Sequence, residues 1–330
     1  MTVPHDDFRR FLDRHDEFLI LSHVDPDGDA IGSCLALAQG LRTAGKRAVI
    51  ANESPLPESL RFLPGWEEVR LPAEVARVFQ GVFVLDCSSV DRVGPGAAAL
   101  LGPDAEIANI DHHAANDHFG SPRLVNVEAS ATAELVFEVL DACGIPVAPE
   151  AAECLYAGIA SDTGAFRFAN TTPRALRLAA RLVERGAKPA FTADALYGRK
   201  SAGSLRILGL ALSSLESRAG GQIGVLSIPH EMFRRAGASP EEADGIVQFA
   251  KSLNGARVGV LIQETSPGET KLSFRSDGSV DVNQVAGRFG GGGHKNAAGA
   301  KVRGDFAKVR GDVLEALDQA VNGGPPPSRG

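Results

Sequence analysis

His23, Asp25, Asp27 and Asp29 stand two residues apart, with Pro26 and Gly28 set between the carboxylates. One imidazole and several carboxylates are hard donors that suit Mn²⁺ or a similar divalent ion, and no thiolate stands among them to favour zinc. An acidic turn that caps a helix is the plainer alternative for this stretch taken alone. Further along, Asp86, the run Asp111-His112-His113 and Asp162 add more oxygen and nitrogen donors. With His23, Asp27 and Asp29 they suffice for two divalent ions sharing a carboxylate such as Asp86 or Asp162. Two ions about 3.5–4 Å apart can activate water and neutralise charge during phosphoryl transfer. Adjacent histidines can reach a metal and its substrate separately, and Asp111 can fix the tautomer of a neighbouring ring. Asp25 is the least well placed of the opening carboxylates.

Each of these residues follows a segment able to hold it. An apolar run at 18–21 precedes His23, and Ile31, Leu35, Ala38 and Leu41 fall at helical spacing after Asp29, with Gly45 as the stop signal. A continuously apolar strand over 81–86 delivers Asp86, and a third strand over 106–113 delivers the Asp-His-His run. Segments 129–143 and 149–160 read as helices, the second running into Asp162, and 172–186 as a further helix opened by Pro173. Strand, loop and helix in this order predict an α/β fold with a parallel sheet and its ligands at the strands' carboxyl ends. His15 has no acidic partner pattern and reads as a solvated residue.

Beyond residue 191 a mostly helical stretch runs to 215, and the period then changes. Segments 222–228, 257–263 and 271–275 read as strands, 240–253 as a helix, and 282–289 as a short helix. That last helix leads into Gly290-Gly-Gly-Gly-His294-Lys-Asn-Ala-Ala-Gly299. Four glycines expose backbone N–H groups and admit a ligand against the main chain, as a phosphate cradle requires. It is not a Walker A loop, because no Gly-Lys-Ser/Thr follows.

Composition narrows the class. A chain of 330 residues is long for one core and predicts two domains. A net charge of −7 argues against a broad basic surface for duplex nucleic acid but not against a small anionic substrate beside bound metal. Cys34, Cys87, Cys143 and Cys154 form no CxxC pair and read as free thiols of a reducing compartment. No apolar run approaches the ~20 residues of a membrane span, so a cytoplasmic protein with no membrane partner is expected.

Taken together, His23-x3-Asp27-x-Asp29-x2-Gly32-Ser33, Asp86, Asp111-His112-His113 and Asp162 resemble motifs I to IV of the DHH phosphoesterase superfamily. Phe274-Arg275-Ser276 and Gly291-Gly-Gly-His294-x3-Ala298-Gly299 resemble its associated DHHA1 domain, and the two-part plan is similar to the NrnA type. The resemblance implies a DHH catalytic domain over 1–188, a helical linker over 189–219 and a smaller α/β DHHA1 domain over 220–322. The active site is expected in the cleft between the two domains, and 323–330 is expected to be a disordered tail. It implies two Mn²⁺ ions, with Mg²⁺ or Co²⁺ as substitutes. His23, Asp27, Asp86 and Asp162 would hold one, and Asp29, His112 and the shared carboxylates the other. His113, with Asp111, would serve the scissile phosphate as stabiliser or proton donor. Arg275, Ser276, Gly291, Gly292, Gly293 and His294 would bind substrate phosphate.

The implied reaction is hydrolysis of short RNA or DNA oligonucleotides (nanoRNA) to mononucleotides and dephosphorylation of adenosine 3′,5′-bisphosphate (pAp). A cyclic di-AMP phosphodiesterase is the close rival, and a non-catalytic nucleotide-binding sensor the alternative of another class. The resemblance also suggests a homodimer.

Overall fold

The computed structural model describes residues 4–75, 77–198 and 200–323, which fall into two compact units, 1–199 and 200–330. The expected tail lies almost wholly outside the described residues. In the first unit, β1 (Glu17–Leu21), β2 (Arg47–Ala51), β3 (Val69–Arg70), β4 (Phe79–Leu85), β5 (Leu101–Asp111) and β6 (Arg123–Val125) form one sheet. Its strand order is β3-β2-β1-β4-β5-β6, and every pairing is parallel. The order reverses between β1 and β4, so the chain leaves these neighbouring strands toward opposite sides and opens a crevice at their carboxyl ends.

Alternate side chains of the strands enter two different cores, the period-two division of a sheet covered on both faces. Phe18, Ile20, Phe83 and Leu85 join the core formed with helices His5–Arg14, Gly28–Thr43, Thr132–Ala142, Pro149–Asp162 and Pro173–Glu184. Leu19, Leu21, Val82 and Val84 join the other, under the segment that carries Val93, Ala97 and Leu100. Gly45 lies just past the first long helix at φ 78°, the left-handed stop its position predicts.

Helix Gly28–Thr43 packs closely on helix Pro149–Asp162, because glycine stands at the crossing. A Cβ on Gly32 would lie 2.4 Å from the carbonyl oxygen of Cys154, and one on Gly158 would lie 2.9 Å from Oδ1 of Asp29. That approach brings the first turn of one helix, with Asp29, beside the last turn of the other, with Asp162.

The second unit carries a mixed sheet of β7 (Glu216–Arg218), β8 (Ile223–Ile228), β9 (Val258–Ser266), β10 (Glu269–Ser276), β11 (Gly292–His294) and β12 (Ala297–Arg303). Their order is β11-β12-β10-β9-β8-β7, with β8–β9 the parallel pair. One face packs on helices Val282–Gly287 and Phe306–Asn322, the other on Ala202–Ser213, His230–Ala236 and Val247–Lys251.

Four expectations are modified. The stretch 189–219 is divided between the units: Pro189–Ala193 lies in the first, while Ile207 and Ala211 are buried in the second. The helix expected over 240–253 is broken into Pro240–Ala243 and Val247–Lys251, with Gly245 between them at φ 85°. The glycine run is not an open loop throughout, since Gly292–His294 is the edge strand β11, paired with β12. His15 is not solvated: it packs edge-on against Phe11 with centroids 5.3 Å apart, and its Nε2 lies 3.3 Å from Oε2 of Glu106.

Gly32→Ala is expected to lower stability by about 1–3 kcal/mol, as a methyl group forced against a backbone carbonyl does. Urea unfolding would measure this, and an unchanged midpoint would show that the two helices can separate freely.

Candidate metal centre

The carboxyl ends of β1, β4 and β5 converge with the end of helix Pro149–Asp162, and the expected ligands meet there. His23, Asp27 and Asp86 form one group in which single donor atoms lie within 4.8 Å of one another; Asp29, His112 and Asp162 form a second, and Asp86, His112 and His113 a third. Asp86 and His112 belong to two groups each, which places them at the middle of the cluster.

The histidines are oriented by backbone carbonyls of other residues. His23 Nδ1 bonds to the carbonyl of Val24 at 2.8 Å, and His112 Nδ1 to that of Ala129 at 3.3 Å. Each Nε2 is thereby turned toward the carboxylates, the arrangement of a metal-ligating imidazole. His23 Nε2 lies 3.5 Å from Asp86 Oδ2, and His112 Nε2 lies 3.2 Å from Asp162 Oδ2, 3.6 Å from Asp86 Oδ1 and 4.0 Å from Asp29 Oδ2.

The carboxylates are held as firmly. Asp27 caps helix Gly28–Thr43 by accepting from the N–H groups of Asp29 and Ala30, so the capping alternative and the ligand reading describe the same residue. Asp29 is fully buried and accepts from the N–H groups of Thr132 (2.6 Å) and Ala133 (2.9 Å). Helix Thr132–Ala142 begins there with Ala131 at its cap position, which offers no capping side chain. Asp29 therefore supplies the cap from another helix, and the positive end of the helix dipole steadies its charge. Asp86 accepts from the hydroxyl of Thr132 at 2.9 Å and sits at φ 56°, a left-handed backbone that costs about 1–3 kcal/mol outside glycine.

Asp111 has no exposure and serves His113: its Oδ1 accepts from His113 Nδ1 at 2.7 Å, and its Oδ2 from Asn116 Nδ2 at 2.6 Å. Thr132 and Asn116 were not foreseen; they reach the cluster only through the tertiary fold. Asp25 is tied instead to the Ser54 hydroxyl at 3.0 Å and exposed.

Electrostatics makes the cluster cation-seeking. Burial, then the charges of Asp86 and Asp162, raise the Asp29 carboxyl well above the usual range. Asp27 keeps contact with solvent, but desolvation within the crevice and the same two charges raise it as well. Burial opposes ionisation of Asp86, yet His23, His112 and His113 hold it below the usual carboxylate range. Burial would lower the histidines, but Asp86 lifts His23 to about 9, and Asp162 with Asp29 and Asp86 lifts His112 to about 10. The hydrogen bond to Asp111 raises His113. Protons thus occupy positions that divalent ions can take, and the donor set of oxygens and imidazole nitrogens fits Mn²⁺ or Mg²⁺.

In the second unit Arg275 lines a cavity of about 780 Å³ with Lys271, Lys301 and Gly291, Gly292 and Gly293. Its floor is the β10–β12 face, where Lys271 pairs with Lys301, Ser273 with Gly299 and Arg275 with Ala297. Small residues on that face leave the space open. A Cβ on Gly291 would lie 2.1 Å from the carbonyl oxygen of Gly299, so the chain just before β11 approaches β12 more closely than a side chain permits. Arg275 Nη1 donates to the Phe274 carbonyl at 2.9 Å, and burial lowers its pKa. Two expected residues stand apart from this cavity. The Ser276 hydroxyl is engaged in its own turn, donating to the Val280 carbonyl and accepting from Gly278, and His294 is exposed on β11.

A model of the DHH family, N-terminal domain, matches residues 17–159, and a model of the DHHA1 domain matches residues 211–323. The chain is 38% identical to the bifunctional oligoribonuclease and PAP phosphatase NrnA of Thermus thermophilus, over 92% of this chain and 89% of that protein. It is 29% identical to the Bacillus subtilis protein of the same name, over 89% and 91% of the two chains. Among solved structures, an exopolyphosphatase-related protein from Bacteroides fragilis superposes with a TM-score of 0.89 at 25% identity, covering 97% of this chain and 95% of that one.

The histidine and carboxyl shifts give one pH dependence. A folded pKa raised to about 9 (His23) or about 10 (His112) contributes stability that is full below the unfolded value near 6.5 and is lost as pH rises through the folded values. The raised carboxyls of Asp27 and Asp29 act in the same sense. The chelator-treated protein is expected to melt at falling temperature from about pH 6.5 to 10, while added Mn²⁺ raises the melting temperature more as pH increases. A metal-induced shift of equal size at both ends would contradict this linkage.

Proposed function

The chain belongs to the DHH family and carries a DHHA1 domain behind it, and from this premise we propose the reaction its phosphoesterase site performs. It hydrolyses short oligoribonucleotides to mononucleotides and removes phosphate from pAp, with two Mn²⁺ ions as cofactor. The observation that supports this reading most is the meeting of His23, Asp27, Asp29, Asp86, His112 and Asp162 in overlapping ligand groups around Asp86. Divalent ions held there would supply Lewis acidity, lowering the pKa of water and neutralising charge on the phosphoryl oxygens.

The chain's own residues do the rest. Asp86 is shared between ligand groups, and its strained backbone and the Thr132 hydroxyl hold it in place. His113 donates Nδ1–H to Asp111, which leaves Nε2 as the atom that faces substrate. The hydrogen bond to Asp111 raises its pKa, which favours the protonated ring, and an Nε2–H would serve the departing oxygen as a general acid. Arg275, Lys271, Lys301 and the Gly291–293 backbone offer a binding site for a second, non-reacting phosphate. A cavity of this kind suits a single phosphate group, and its small basic surface offers no track for a long polymer.

The test is a comparison of specificity constants, with Mn²⁺, on 2–5-nucleotide RNA, pAp and cyclic di-AMP. Short RNA or pAp is expected to dominate. Asp86→Ala and Asp162→Ala are expected to abolish turnover without unfolding the protein, and Arg275→Ala to raise KM about tenfold with little change in kcat. Near wild-type turnover in either aspartate variant would remove the proposed centre, and dominance of cyclic di-AMP would move the substrate to cyclic dinucleotides.

A further inference from the structure

Gly164, Ala165 and Phe166, just after Asp162, are three consecutive left-handed residues with φ of 56°, 57° and 63°. Alanine and phenylalanine adopt this backbone only where the surroundings impose it. The turn sends Phe166 inward, 5.9 Å from the Tyr156 ring and against the main core, and leaves Phe168 outside with 47% of its surface exposed. The Phe168 ring lies over Gly164, where a Cβ would stand 2.4 Å from its Cζ. One side of the ring is thus supported while the residue remains open to solvent.

A second irregular element meets it. Asp194–Gly198 is one π-helical turn, a rare conformation found often at functional sites. It carries Tyr197, 39% exposed, whose hydroxyl donates to the Ala160 carbonyl at 2.9 Å. The guanidinium of Arg167 lies near both rings, its central carbon 6.0 Å from the Phe168 centroid and 5.8 Å from that of Tyr197. Arg167 Nε donates to the Gly164 carbonyl at 2.6 Å, which fixes the guanidinium to the turn. The loop is bound back to the metal centre, since Asn170 Nδ2 donates to the Asp162 and Ser130 carbonyls, each at 3.1 Å.

We propose that Phe168, Arg167 and Tyr197 form a nucleobase platform beside the metal centre, on which the base of the nucleotide being cleaved stacks. A flat apolar ring next to a planar cation matches the π-face and edge polarity common to every base, and Phe168 stays exposed where Phe166, two residues earlier, packs partly buried against the core. The platform reads no Watson–Crick edge and gives affinity without sequence preference. It rests on the proposed nucleotide substrate and says which part of that substrate this unit holds.

The test is calorimetric binding of AMP and of ribose 5-phosphate to the full-length, Mn²⁺-loaded protein. Phe168→Leu keeps bulk over Gly164 but removes the π-face, while Phe168→Tyr keeps both. Wild-type protein is expected to bind AMP more tightly than ribose 5-phosphate. Phe168→Leu should weaken AMP about tenfold and leave ribose 5-phosphate unchanged, with Phe168→Tyr near wild type. Equal loss for both ligands, no loss for either, or a wild type that binds the two alike would overturn the platform. Wild-type protein that discriminates through Phe168 yet hydrolyses neither short RNA nor pAp would sustain the platform and refute the proposed reaction.

Discussion

Mutual repulsion among carboxylates in one crevice is the constraint on which the first unit depends. Asp29 and Asp86 are almost wholly removed from water, and Asp27 and Asp162 stand within reach of their charge. Burying like charges together is costly unless hydrogen bonds and counter-charges offset it. The fold supplies both. A helix N-terminus is aimed at Asp29, a hydroxyl at Asp86, and three imidazoles surround Asp86 with raised proton affinity. What protons do for the isolated chain, divalent cations can do better, because each carries two charges to the same place.

The same constraint explains features that packing alone would not require. Strand order reverses between β1 and β4, and this sets His23 and Asp86 beside each other at the ends of adjacent strands. Glycine at 32 and 158 lets two helices approach closely enough to bring Asp29 beside Asp162. Asp111 and Asn116 lie one layer out and act through His113, so its orientation is set by a chain of hydrogen bonds anchored in the buried β5. The second unit solves a different problem, presenting Lys271, Lys301 and Arg275 around a cavity that small residues keep open.

Much of the cluster was legible in the sequence because its candidate ligands stand at the ends of apolar segments. An apolar run that stops at Asp86, or at Asp111-His112-His113, marks a buried strand ending in groups that need a partner. The family resemblance then supplied the grouping that local patterns left open. Less was legible where long-range contact decides. Thr132 and Asp86 are 46 residues apart and meet through one hydrogen bond, and nothing local marks Thr132 as more than a helix start. His15 looked solvated because its partner, Glu106, comes from a distant strand. The helix expected over 240–253 looked continuous because the sequence pattern does not show the left-handed turn at Gly245. The glycine run suggested an open cradle, whereas part of it pairs as the edge strand β11, since backbone pairing with β12 satisfies N–H groups a free loop would leave to solvent or ligand.

The most direct test of a shared two-ion centre is anomalous diffraction at the manganese edge from crystals grown with Mn²⁺, for the wild type and for Asp86→Asn. Two peaks are predicted in the wild type, both within coordination distance of Asp86, with at least one lost in the variant. A single peak, or two peaks unaffected by the substitution, would contradict the account.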